Sequence, residues 1–525
     1  MTADPSTPPL IRAMLEPAFY DHPAARPRLI ETHISWVILA GDYAYKLKKP
    51  VDLGFLDFST LEKRRFYCAE ELRLNRRLAP SFYLDLVRIS GPASAPRLNG
   101  EGEAIEFAVK MKQFPQTAQL DRMLDSGKLR AGHIDAMADF IAGFHLRAEA
   151  SDPQTDHGEP AQVHAPVAEN FRQIRERITE SKHVKTLDGL EQWSEAEFRR
   201  LLPVFKQRKT NGWIRECHGD LHLRNLAWVD HKPLAFDCIE FNPELRWIDV
   251  ISDIAFLVMD LEDRGQPSFA WRLLNRYLER TGDYAGIATL RFYLVYRALV
   301  RAKVDAIRCA QPGISERERR EAGEDFSAYL KLAQRHARTG DAALIITHGL
   351  SGSGKSTLSQ PLLERLGAIR LRSDVERKRL FGFRATESAQ AAPDAGIYSA
   401  EKTDQTYTRL AELAAGLLDA GYPVIVDATF QKPEQRARFR KLAAEKQRPW
   451  IILDFTASPD TLRRRIARRQ DDASDANLQV LEQQLQHWRP LAQEEEQFAI
   501  RIDSEAPFDA DAVAEQIRAR YQPGN

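Results

Sequence analysis

The chain has 525 residues, 43% of them hydrophobic and 29% charged, and its 75 basic residues balance 75 acidic ones. That length exceeds what one hydrophobic core supports, so two or three domains are expected, and nothing in the net charge argues for nucleic acid or an anionic membrane as the main partner. Residues 1–9 are polar and Pro-rich rather than basic and then apolar, no apolar stretch is long enough to span a bilayer, and four scattered cysteines (Cys68, Cys217, Cys238, Cys309) have no metal-ligand spacing. The expected setting is a reduced cytoplasm, with no membrane partner.

In chain order, residues 28–50 and 82–114 read as strand-rich, with Phe58 to Leu78 as one helix between them. From about residue 120 the pattern is mostly helical, interrupted at 151–166 by a polar stretch rich in Asp, Gln, His and Pro that is expected as a loop. A polar, helix-favouring run from Glu316 to Arg338 closes this first part. From Asp341 on, strand signals (343–348, 368–373, 423–428, 450–455, 499–503) alternate with helical ones (near 356–366, 398–420, 433–446, 460–469, 476–497 and 510–521). Such alternation predicts a parallel sheet covered on both faces, with ligands at the carboxyl ends of its strands.

The first chemical signal lies at 217–237, Cys-His-Gly-Asp-Leu-His-Leu-Arg-Asn-Leu-Ala-Trp-Val-Asp-His-Lys-Pro-Leu-Ala-Phe-Asp. Asp220 and Asn225 have the spacing of the kinase catalytic loop, and a short hairpin then leads directly to Asp237. Asp220 can accept a proton from an attacking hydroxyl, while Asn225 and Asp237 offer hard oxygens to Mg²⁺. Only about a dozen residues separate Asp237 from Asp249, too few for a protein-kinase activation loop, which favours a small hydroxylated acceptor. His218 and His222 lack the further ligands that zinc needs and are explained by the loop itself.

On these residues the stretch 28–300 resembles the aminoglycoside phosphotransferase and choline kinase family, which has the protein-kinase-like fold. His218-Gly219-Asp220 matches that family's His-Gly-Asp, and Asp249-Val250-Ile251-Ser252-Asp253-Ile254-Ala255 matches its D-x-x-x-D-I-A, where Asp253 braces the catalytic loop. The resemblance implies that Lys46 contacts phosphate and Glu71 is its helix partner. Lys48, Lys49 and Glu70 compete for these roles, and surface charge is the plain alternative. His145 reads as packing, and Met111 to Phe114 as the hinge against adenine. One departure is that Thr32-His33-Ile34-Ser35 stands where a Gly-rich loop is expected.

The second signal is Gly349-Leu350-Ser351-Gly352-Ser353-Gly354-Lys355-Ser356, a G-x-x-x-x-G-K-[ST] phosphate-binding loop between an apolar strand and a helix opening at Thr357. Its glycines let successive N–H groups face phosphate, the helix N-terminus adds positive potential, Lys355 adds a charge, and Ser356 offers a hydroxyl to Mg²⁺. Val424 to Asp427 is an apolar strand ending in a carboxylate, the Walker B arrangement for metal, with a turn or cap aspartate as the plain alternative. Asp374 and Arg377 follow the second strand, and 463–469 is a run rich in arginine.

This unit resembles the P-loop kinases: gluconate kinase, zeta toxin and the polynucleotide 5′-kinases. The resemblance implies that Asp374 activates the acceptor, Arg377 assists it, and Arg465 and Arg468, at i and i+3, belong to a lid over the phosphate. Asp374 as a helix N-cap and the arginine run as a solvated basic face are the bland readings. The turn at 471–476 also resembles the one after the gluconate-kinase lid. The whole arrangement is similar to bacterial bifunctional aminoglycoside phosphotransferase/ATP-binding proteins. The expected fold is α/β and α+β in two domains. Residues 1–335 form a bilobal kinase-like domain (small lobe about 1–115, large lobe about 116–335), and 341–525 form a P-loop three-layer α/β/α domain. The expected activity is transfer of the γ-phosphoryl group of ATP, with Mg²⁺, to a small-molecule hydroxyl at both sites. The alternatives are a regulatory P-loop module or a polynucleotide 5′-kinase beside a kinase-like unit that binds without turnover. Nucleic acid is thus a possible but disfavoured partner, and no feature fixes the oligomeric state.

Overall fold

In the computed structural model, residues 7–54, 56–311, 313–338, 340–383, 396–468 and 477–521 are described. They fall into two compact units, one from residues 1–136, 144–163 and 206–257, the other from 137–143, 164–205 and 258–525.

The first unit is built on six strands: β1 (Arg28–Glu31), β2 (Ser35–Ala40), β3 (Tyr43–Lys48), β4 (Tyr83–Ser90), β5 (Arg97–Leu98) and β6 (Ala104–Lys112). They form one sheet in the order β1-β2-β3-β6-β4-β5, and every neighbouring pair is antiparallel. Tyr45 and Leu47 of β3 are fully buried against Ile38, Val87 and Ala108, which fixes the register, while Lys46 lies opposite Val37 and Val109 with its side chain on the other face. The helix expected over Phe58 to Leu78 is Leu61–Arg76, because the Thr60 hydroxyl accepts from the Lys63 N–H at 3.3 Å and caps it. Further on come β7 (Ile214–Glu216), β8 (Leu226–Val229), β9 (Lys232–Ala235) and β10 (Trp247–Asp249), paired antiparallel as β8–β9 and β10–β7. The β8–β9 turn places Asp230 and His231 at φ 50° and 59°, the paired left-handed residues of a tight hairpin.

The stretch 151–166 is not all loop. A helix, Pro160–Arg175, begins inside it. Proline reads as a breaker, but at the first helical position its missing N–H is not needed.

The second unit carries β11 (Leu344–His348), β12 (Ile369–Arg372), β13 (Val424–Asp427), β14 (Trp450–Thr456) and β15 (Ala499–Asp503). All pairs are parallel, in the order β12-β13-β11-β14-β15. The core is dense in β-branched and Leu side chains, among them Ile345, Ile425, Ile451 and Leu453, all fully buried. The helix expected over 476–497 is only Leu478–Gln486, since Pro490 bars the helical conformation from Arg489. β12 is an edge strand, and helix Pro267–Thr281 lies along it. Asn275 receives the Arg370 N–H on Oδ1 at 2.7 Å and donates from Nδ2 to the Ala368 carbonyl at 2.9 Å, so a side-chain amide substitutes for a strand partner. Trp271 of the same helix packs against the sheet core. No helix among the described residues is long and apolar enough to cross a membrane.

Candidate active sites

In the first unit, Asp253 opens the geometry. It is fully buried and accepts the His218 N–H at 3.0 Å on Oδ2 and the Gly219 N–H at 2.9 Å on Oδ1. His145, which sequence reasoning treated as packing, donates from Nε2 to Asp253 Oδ2 at 3.1 Å and so locks the brace. His145, Cys217 and Asp253 bring one nitrogen, one sulfur and one oxygen within 4.8 Å of one another. Within it His145 is bonded to Asp253, and the Cys217 thiol donates to the Ile248 carbonyl at 3.5 Å. Gly219 has φ +89°, and a Cβ there would sit 2.7 Å from the Leu245 carbonyl, so only glycine fits the turn into Asp220. His218 is neutral: burial pushes its pKa below the usual value, its Nε2–H donates to the Phe236 carbonyl at 2.9 Å, and its Nδ1 accepts the Asp220 N–H at 3.3 Å.

Asn225 donates from Nδ2 to Asp220 Oδ2 and to the Asp220 carbonyl, each at 3.0 Å, which turns its amide oxygen the other way. His222 Nε2 lies 3.3 Å from the same Asp220 oxygen. Asp237 is held at φ 65° with its N–H on the Tyr83 hydroxyl at 3.2 Å. Lys46 Nζ reaches Asp237 Oδ1 at 2.5 Å and Glu71 Oε1 at 2.8 Å. Burial works against the Lys46 ammonium, but Asp237, Glu71 and Glu240 outweigh it and raise its pKa well above the ordinary lysine value.

Among the competitors, Lys49 turns outward to Glu31 at 2.5 Å, and Glu70 pairs with Arg73 at 2.9 Å. Lys48 is different. It is fully buried, lies 2.8 Å from Glu71 Oε2, and also bonds Glu240. Glu240 was missed from sequence, although its place three residues after Asp237 was a usable signal. The Thr32–Ser35 turn is closed by its own bonds, the Thr32 N–H to the Ser35 carbonyl at 3.0 Å and the Ser35 N–H to Thr32 Oγ1 at 3.0 Å.

In the second unit, the loop after β11 turns sharply into helix Lys355–Leu366. At Gly349 a Cβ would lie 2.6 Å from the Phe455 carbonyl. Lys355 folds over the loop, donating to the carbonyls of Gly349 at 2.9 Å and Leu350 at 2.8 Å. The Ser351 N–H goes to Gln484 Oε1 at 2.9 Å. Ser356 Oγ donates to Asp427 Oδ2 at 2.6 Å, so the residue after Lys355 and the last residue of β13 meet. They face a cavity of about 790 Å³ that Gly352, Gly354, Thr357, Asp374, Arg377 and Arg465 also line.

Helix Ser373–Leu380 starts one residue before Asp374, which therefore occupies the first turn and is not the N-cap. Arg377 donates to the Ile397 carbonyl at 3.0 Å and to Thr403 Oγ1 at 2.9 Å, with its guanidinium over Tyr398. Arg465 is tied to the Gly352 carbonyl at 3.2 Å and to Ser504 at 2.8 Å. Arg468 caps helix Pro459–Ala467 with helical dihedrals and its N–H on the Arg464 carbonyl at 3.2 Å, so it keeps the i, i+3 spacing from Arg465, but its side chain is exposed. The turn at 471–476 lies outside the described residues, as do Arg469 and Gln470.

Both donor sets suit a hard dication. Asn225 and Asp237 supply an amide oxygen and a carboxylate, and Ser356 and Asp427 a hydroxyl and a carboxylate, with no soft ligand among them.

The family description "phosphotransferase enzyme family" matches residues 68–293, and "AAA domain" matches 344–491. An uncharacterized protein of Mycobacterium tuberculosis is 33% identical over 450 residues, covering 86% of this chain and 88% of the relative, and one from Mycobacterium bovis gives the same figures. The chain belongs to this two-domain phosphotransferase and P-loop kinase family. Among solved structures similar to parts of it, amicoumacin kinase in complex with AMP-PNP, Ca²⁺ and Ami has a TM-score of 0.39 at 14% identity, over 61% of this chain and 92% of that one. A gluconokinase from Sinorhizobium meliloti has a TM-score of 0.25 at 19% identity, over 35% and 94%. In this two-domain family the first domain is kinase-like and the second carries the five-stranded parallel sheet of P-loop kinases. Kinases of both kinds use ATP, typically with Mg²⁺.

Proposed function

We propose that both sites transfer the γ-phosphoryl group of ATP to the hydroxyl of a small molecule. The observation that carries most weight is the meeting of Ser356 and Asp427, 2.6 Å apart, on a cavity that Asp374 and Arg377 also line. Mg²⁺ held there, or by Asn225 and Asp237, would neutralise charge on the phosphates. In the first site Asp220, oriented by Asn225, takes the proton of the attacking hydroxyl, and Lys46, positioned by Glu71, contacts phosphate. In the second, Lys355 and the N–H groups of residue 352 and residues 354–357 bind the phosphates, Asp374 takes the acceptor proton, and Arg377 and Arg465 counter charge on the transferring group. Arg468, exposed, would join only by closing over that group. We place the division between the two catalytic domains near 335–341, and the setting in the cytoplasm.

A second reading, binding without turnover in the first site, draws on the Thr32–Ser35 turn, which has no glycine to lie over phosphates. ATP turnover with Mg²⁺ against a panel of sugars, polyols, aminoglycosides, nucleosides and oligonucleotide ends separates the two. Asp220→Ala is expected to cut one acceptor-dependent activity by about 10²- to 10⁴-fold while ATP still binds. Lys355→Ala is expected to remove the other. An Asp220→Ala chain with unchanged turnover on every acceptor supports binding alone, and oligonucleotide-only activity assigns the P-loop site to nucleic-acid ends.

A further inference from the structure

Glu279 lies in helix Pro267–Thr281, outside the stretch that matches the AAA domain, yet within the second unit it touches the machinery around β12 in three ways. Its Oε1 lies 3.1 Å from Arg370, whose other nitrogen donates to the Ser356 carbonyl at 2.9 Å and to Ser359 Oγ at 3.2 Å. Its Oε2 lies 3.7 Å from Arg372. Its carbonyl accepts from Arg379 at 2.5 Å, on the helix that carries Asp374 and Arg377. Glu279 and Arg370 are both buried. Arg372 lines the P-loop cavity, and its Nε stands 3.8 Å from Asp427 Oδ2, the oxygen that accepts from Ser356.

Arg372 thus lies within ion-pair reach of both Glu279 and Asp427. A guanidinium drawn fully onto Asp427 would compete with a dication for that carboxylate. We propose that Glu279 is a positioning residue for the P-loop site: it holds Arg372 away from Asp427 and so keeps the Asp427 carboxylate open to Mg²⁺. This rests on the reading of Asp427 as a metal ligand. It makes the affinity of the P-loop site for its cation depend on a residue from outside the AAA-domain match.

The test uses the full chain in a Lys46→Ala background, which silences the first nucleotide site. Mg²⁺ is titrated while binding of a fluorescent N-methylanthraniloyl ATP is followed. Glu279→Gln keeps the shape and removes the charge, and is expected to raise the Mg²⁺ concentration for half-saturation on the order of tenfold. Binding without Mg²⁺ should stay unchanged. Adding Arg372→Ala to Glu279→Gln should bring half-saturation back near the background value, because the competitor is gone. A residue that only held the helix in place would give no such rescue. No shift in Glu279→Gln, or a shift that Arg372→Ala leaves intact, overturns the inference. Should Glu279→Gln fail to fold, Arg372→Ala alone decides: half-saturation below background supports the competition, and an unchanged or higher value refutes it. Asp427→Asn is the control for the underlying reading. If it leaves the Mg²⁺ dependence untouched, Asp427 is not a metal ligand, and that failure is distinct from a silent Glu279→Gln.

Discussion

Glu71 divides its two carboxylate oxygens between Lys46 and Lys48, both at 2.8 Å, and Lys48 continues to Glu240. Removing Lys48 leaves Glu240 and half of Glu71 as uncompensated buried charge. Lys48→Ala is therefore expected to cost about 3–5 kcal/mol in urea unfolding of the first unit, while Lys46→Ala, whose side chain is partly exposed, chiefly weakens nucleotide binding. Acid should act on the same cluster. Burial alone would raise the Glu71 pKa, but Lys46 and Lys48 pull it down to about 2, from an ordinary value of 4.5. A carboxyl depressed by folding stabilises fully above its unfolded pKa, so the Glu71 contribution is complete above about pH 4.5 and is lost as pH falls toward about 2. Glu240 runs the other way, because burial raises its pKa despite Lys48. Denaturation midpoints measured across that window should flatten in Glu71→Gln. A slope unchanged from wild type would show that other carboxylates set the acid limb.

At the scale of elements, the turn into Asp220 and the β12 edge each depend on one small group. Gly219→Ala would push a Cβ into the Leu245 carbonyl from a left-handed conformation, so the turn must move and Asp220 with it. A stability loss of about 1–3 kcal/mol is expected together with loss of first-site turnover, while P-loop nucleotide binding is retained. Asn275→Leu orphans the Arg370 N–H and the Ala368 carbonyl, each worth about 1–3 kcal/mol if left buried and unsatisfied, and is read as a lower urea midpoint for the second unit. The five strands of that unit were legible because a buried parallel strand is a short continuous apolar run, such as Leu344-Ile345-Ile346. Helix ends were less so. Pro160 opens a helix where local rules see a breaker, and Leu478–Gln486 is cut short ahead of Pro490. The phosphate loop and the Asp220/Asn225 spacing were visible because their chemistry sits in adjacent residues. Lys48–Glu240, His145–Asp253 and Glu279–Arg370 were not, since each joins positions about ninety or more residues apart that only the fold brings together.

Over the whole molecule, the sequence families and the compact units divide the chain differently. The family matches end at 293 and resume at 344, whereas one compact unit takes in residues 258–525. A piece comprising 341–525 would leave the β12 edge without Asn275 and the sheet core without Trp271. Such a piece is expected to associate in sedimentation velocity and to be relieved by co-expression of residues 1–340. A monodisperse 341–525 would show the cover to be dispensable. The same cover has a consequence for synthesis. A ribosome makes Trp271 and Asn275 roughly ninety residues before it makes Ile369–Arg372. Helix Pro267–Thr281 is therefore already made when β12 emerges, so that edge can meet its cover on its own chain before it meets another nascent chain on the same message.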